Sequence, residues 1–182
     1  MRKVLSLKKR GFTLVELMIV VAIVGVLAVL AIYGVRKYIA NSKTTEARNS
    51  LGEIKNDSAS AFERETGGTT VLAAGSSTTL LRALCPGGAK VPSAGVPASS
   101  KYQSAKGDWA DGAGWQCLKF SLEQPQYFEY TFTGGTTATA YTATANGDLN
   151  GDTILSTFAI SGSIQSGVLN TSPTISQINP EE

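Results

Sequence analysis

Lys8-Lys9-Arg10-Gly11-Phe12-Thr13-Leu14-Val15-Glu16 opens a stretch that continues to Val35 as LMIVVAIVGVLAVLAIYGV. From Phe12 to Val35 the only charged side chain is Glu16. As one helix these 24 residues rise about 36 Å, enough to cross the hydrocarbon of a bilayer. A carboxylate is costly in hydrocarbon, so a membrane helix that keeps one needs a partner for it. A cation from elsewhere would serve, and so would Thr13 or the backbone nearby. Five cations precede the apolar run: Arg2, Lys3, Lys8, Lys9 and Arg10. By the positive-inside rule they hold that end in the cytoplasm. A secretory signal places its cleavage site after its apolar stretch. Here Gly11-Phe12 lies before it, and a cut there would leave the helix on the mature chain.

The rest of the sequence is arranged around this helix. The chain has 182 residues and a net charge of +2, but beyond Gly11 it carries 11 basic and 14 acidic side chains, a net charge of −3. The basicity therefore belongs to the leader and gives no reason to expect nucleic-acid binding. There is no histidine, which excludes His-based triads and metal sites, and two cysteines cannot form a four-cysteine zinc site. No nucleophile–base pair is visible, so the reading is of a protein that is not an enzyme.

Beyond Val35 the apolar residues become one-sided. Ala47, Leu51, Ile54, Ser58 and Phe62 recur at spacings of three and four, and Lys43, Glu46, Arg48, Glu53, Lys55 and Asp57 cover the other faces. Gly67-Gly68 supplies a stop. Residues 67–116 are rich in Gly, Ser, Thr, Ala and Pro and read as a connecting region, with a helical turn at Leu80-Leu81-Arg82-Ala83-Leu84. From Cys117 the period becomes two, with Leu118, Phe120 and Leu122 in one strand and Phe128, Tyr130 and Phe132 in the next. Gly134-Gly135 marks a hairpin into a strand near 137–145, and Ile154, Phe158 and Ile160 suggest a fourth. The expected fold is α+β, a long N-terminal α-helix packed on a small antiparallel sheet of three to four strands. Its segments are a basic leader (1–11), a membrane-spanning half-helix (12–35), an amphipathic half (36–66), the connecting region (67–116), the sheet (117–169) and a tail (170–182). The tail carries little pattern and allows partial disorder.

Lys9-Arg10-Gly11-Phe12-Thr13-Leu14-Val15-Glu16-Leu17-Met18-Ile19-Val20-Val21-Ala22-Ile23-Val24-Gly25 closely resembles the N-terminus of the type IV pilin family, and with the long helix the resemblance covers about 55 residues. It implies cleavage between Gly11 and Phe12 by a membrane peptidase that then methylates the Phe12 amino group. It implies that Glu16 pairs with the Phe12 ammonium of a neighbouring subunit. The partners implied are further copies of the chain in a homopolymer, the peptidase and methyltransferase, a pilus assembly platform and, indirectly, motor ATPases. The location implied is the bacterial inner membrane, then a surface filament serving twitching motility, adhesion or DNA uptake. A pseudopilin of a type II secretion system and a minor pilin acting as a tip adhesin share the same N-terminus. Many relatives have a proline where this chain has Tyr33. Gly25 and Gly34 either loosen the helix in a filament or admit close helix packing.

Three further features are compatible with this reading. Cys85 and Cys117 would close a loop of about 33 residues in an oxidising compartment, which favours a disulfide. The pair lies mid-chain, so the adhesive C-terminal loop of some relatives does not carry over. Asp148, Asn150 and Asp152 alternate as the first ligands of a calcium loop do, yet the twelfth position is Ala159, and an Asx-rich turn has the same letters. Trp109 and Trp115 either stack a ligand or pin a loop to the sheet. Asn56-Asp57-Ser58 and Asn170-Thr171-Ser172 match the acceptor pattern for N-glycosylation.

Overall fold

The computed structural model describes residues 11–64, 74–75, 82–110, 113–135 and 137–180. The leader at 1–10, the Gly67-Gly68 stop and the turn at Leu80-Leu81 lie outside the described residues. The chain divides into two units, Met1–Ile39 and Ala40–Glu182. One helix, α1 (Leu14–Glu63), runs through both.

In the first unit α1 has no polar side. Every large apolar side chain from Leu14 to Val35 is more than half exposed, from 53% at Val20 to 75% at Leu14. A helix that is apolar all round is stable only when something else covers it. The second unit places the apolar residues of α1 on a stripe. Thr44, Ala47, Ser50, Leu51, Ile54, Ser58, Ala61 and Phe62 are buried. Of these, Ala47, Leu51, Ile54, Ala61 and Phe62 join one core with Phe128, Tyr130, Phe132, Tyr141, Ala143, Ala145, Phe158 and Ile160 of the sheet.

That sheet is antiparallel and has six strands: β1 (Gly88–Val91), β2 (Phe128–Thr133), β3 (Ala140–Gly147), β4 (Ser156–Gln165), β5 (Val168–Thr171) and β6 (Ser176–Ile178). The first five lie in chain order, and β6 pairs with β4. The expectation of three to four strands is thus corrected to six. β1 lies in what reads as a connecting region. It is four residues long with one inward apolar side chain, Val91, opposite Tyr130, too short for a periodic signal. β6 lies in the tail, where its three residues are all exposed and are recruited by pairing with Thr157 to Ala159.

The strand expected over Leu118, Phe120 and Leu122 is also corrected. Ala113–Leu118 is a short helix, α2. It ends in a Schellman motif, with Lys119 in the left-handed region at φ 64°. The Lys119 amide donates to the Gln116 carbonyl and the Phe120 amide to the Trp115 carbonyl. The left-handed residue turns the chain so that Leu118 and Phe120 both face the core, and Phe120 packs on Trp115 at 5.7 Å between ring centroids. Residues two apart share a side here because of a helix cap, which imitates strand alternation.

Candidate assembly site

Thr13 precedes the first helical residue, and Glu16 is the third residue of α1. The Glu16 carboxylate accepts hydrogen bonds from the Thr13 amide (2.9 Å) and the Thr13 hydroxyl (2.8 Å). The Glu16 amide donates back to the Thr13 hydroxyl oxygen at 3.2 Å. This reciprocal arrangement is a capping box, which satisfies amides that a helix start otherwise leaves without partners. Within a single chain the partner of Glu16 is therefore Thr13. A carboxylate has about four acceptor sites, so these bonds leave capacity for a further donor. The cap was not read from the sequence, although T-x-x-E directly before an apolar run is a signal that could have found it.

Gly11 and Phe12 stand just outside the helix and are exposed, Phe12 by 84%. α1 is long and apolar enough to cross a membrane. Tyr33 lies near the end of the apolar run and Arg36, Lys37 and Tyr38 follow it, the residue types that favour a membrane–water boundary. A side chain added at Gly25 or Gly34 would meet nothing within 4 Å.

In the second unit Cys85 and Cys117 form a disulfide, with Cα atoms 5.7 Å apart. It joins the segment before β1 to α2. The Arg64 guanidinium donates to the Cys117 carbonyl and so ties the end of α1 to the same point. Trp109 and Trp115 are 3% and 0% exposed, and their indole N–H groups donate to the carbonyls of Leu122 (3.0 Å) and Ala89 (2.7 Å). They pin loops to the core.

Asp148, Asn150 and Asp152 lie together in the β3–β4 connection, with their oxygens turned to backbone amides. Asp148 accepts from Gly151 (2.6 Å) and Thr153 (3.2 Å), Asn150 from Asp152 (2.9 Å), and Asp152 from Ile154 (2.8 Å). The last two, each to the amide two residues on, are Asx turns. Among the described residues no three His, Cys, Asp or Glu side chains converge as a metal cluster.

Glu46 was not singled out by sequence reading, since a Glu on an amphipathic helix looks solvated. Its carboxylate accepts from the Tyr127 amide (2.9 Å) and the Tyr130 hydroxyl (3.3 Å), fastening α1 to the start of β2. Burial raises its pKa above the ordinary carboxylate value, against the lowering effect of those hydrogen bonds.

Residues 6–32 match the family model of the prokaryotic N-terminal methylation motif. The type IV major pilin protein PilA of Myxococcus xanthus is 47% identical over 58 residues, 32% of this chain and 26% of that protein. The type IV major alpha-pilin of Moraxella bovis is 45% identical over 71 residues, 38% of this chain and 43% of that protein. A fimbrial protein of Pseudomonas aeruginosa is 45% identical over 54 residues, 30% of this chain and 35% of that protein. The matches thus span less than half the length of these relatives. No solved structure matches the chain significantly. Over the methylation motif and the helix that carries it, the chain is thus similar to type IV pilins.

Proposed function

We propose that the chain is a structural subunit of a type IV pilus. The observation that carries this is the first part of α1, Leu14 to Val35, apolar on every face, whose one carboxylate, Glu16, sits in the first turn, directly behind Gly11-Phe12. In the membrane, lipid covers the helix. In a filament, the same helix of neighbouring subunits replaces the lipid, and the β-domain stays outside.

Cleavage between Gly11 and Phe12 would create an ammonium on Phe12, four residues before Glu16. Its methylation would keep the positive charge. The remaining acceptor sites of Glu16 would then take a donor from the ammonium of a neighbour. A charge pair in an apolar core gains little net energy after desolvation, but it fixes one axial offset between subunits. Further copies of the chain, a prepilin peptidase with methyltransferase activity and an assembly platform driven by motor ATPases are the partners of this scheme. The inner membrane is the site of the precursor and the cell surface that of the filament, whose outputs are motility, adhesion or DNA uptake.

Intact mass and N-terminal sequencing of filaments from the native cells test the proposal. The expected mature chain begins at methylated Phe12. A mature chain beginning after Val35 would lack the helix and overturn it. Deleting the gene should remove the filaments, as seen by electron microscopy.

A further inference from the structure

The two glycosylation patterns fall in opposite environments. Asn56-Asp57-Ser58 lies inside α1, with Ser58 only 3% exposed and its hydroxyl donating to the Ile54 carbonyl at 2.7 Å. An enzyme that reads both the asparagine and the hydroxyl two residues on cannot reach Ser58 in the folded chain. Asn170-Thr171-Ser172 runs along β5, at the edge of the sheet, with Asn170 exposed and Ser172 partly so.

A hollow of about 370 Å³ lies beside Asn170. Its walls include Ala140, Thr142, Ser161, Ser163, Asn170 and Ser172. Strand register explains it. Ala140 pairs with Ser163, Ser163 with Asn170, and Thr142 with Ser161, so small and hydroxylated side chains share one face of three adjacent strands. No charged residue lines the hollow. Hydroxyls that both donate and accept, without a charge, suit the hydroxyl groups of a neutral sugar.

We propose that Asn170 is a glycosylation site and that the first sugar of its glycan rests in this hollow. In the transfer, the Asn170 Nδ2 bonds to C1 of a sugar carried by a diphosphate-activated donor. The bond from C1 to the phosphate oxygen breaks, the phosphate leaves with the electron pair, and an amide proton passes to a base of the transferase. This attachment is independent of filament formation.

The test is peptide mass spectrometry of the protein from its own cells. No Lys or Arg follows Lys119, so cleavage before aspartate is used to release Asp152 to Glu182. That peptide should exceed its sequence mass by one or more hexose or N-acetylhexosamine residues. Asn170→Gln and Ser172→Ala should each remove the increment, while Asn56→Gln should keep it. Because Phe12 lies outside this peptide, the result does not depend on how the N-terminus is processed. An unmodified peptide from wild-type cells overturns the proposal, as does an increment that survives Asn170→Gln. NMR shifts at Thr142, Ser161 and Ser163 should differ between the glycosylated protein and Asn170→Gln, and unchanged shifts there would overturn the placement of the sugar in the hollow.

Discussion

Replacing both Cys85 and Cys117 by serine removes the covalent tie between the β1 segment and α2. The sulfurs close a loop with a sequence separation of 32. The loop-closure entropy withheld from the unfolded chain at that length is worth about 3.7 kcal/mol at 25 °C. The folded state adds to the loss, because Cys85 is 2% exposed and a serine hydroxyl there would need a partner. Packing limits it, since Trp115 and β1 remain held by the indole bond to Ala89 and by pairing with β2. For a unit of this size about 3.7 kcal/mol corresponds to a fall in Tm of roughly 10 °C. Calorimetry of the full chain in detergent, with near-ultraviolet circular dichroism from the two tryptophans, should show one cooperative transition at the lower temperature. The denaturant slope should also rise, as the unfolded chain expands without its crosslink. A Tm within 2 °C of wild type would refute the reasoning. So would hydrogen exchange that rises in α2 alone while the β2–β4 amides keep wild-type protection, since the crosslinked segment would then lie outside the cooperative core.

Gly114→Ala should destabilise by about 1 to 3 kcal/mol, read by chemical denaturation, because its Cβ would lie 2.5 Å from the backbone of Gly87 and Gly88. For Glu46→Gln the pH dependence carries the information. Burial raises the folded pKa of Glu46, so its contribution is fully present below the unfolded value of 4.5 and is lost as pH rises through the folded value. The Tm of wild type relative to the variant should therefore increase on acidification, and a difference that is flat between pH 3 and 7 would contradict desolvation as the dominant cause. Glu16→Gln keeps a residue type that completes a capping box, whereas Glu16→Ala loses the cap as well as the charge. Both should leave precursor levels and membrane insertion near wild type and reduce surface pili to few or none. Abundant pili from Glu16→Gln would show that the hydrogen-bonding shape, not the charge, directs docking.

The N-terminal half of this protein was legible because its signals are local. The apolar run and the cations before it each act within a few residues, and a helix closes its own hydrogen bonds. The stripe at Ala47, Leu51, Ile54 and Phe62 could be read for the same reason, and so could the strand at Phe128–Phe132 and the one expected near 137–145, which forms over Ala140–Gly147. Only tertiary structure decided the rest. β1 and β6 are too short to show a period and exist because β2 and β4 offer them partners. Leu118 and Phe120 share a side because Lys119 takes a left-handed turn, which the same alternation in a strand would imitate. Glu46 looks like a solvated helix residue until Tyr127 and Tyr130, over 80 positions away, bring it their donors. The hollow beside Asn170 arises from the register of three strands. Each of these depends on which distant groups the fold brings into contact, and such pairings leave no trace in a short window of sequence.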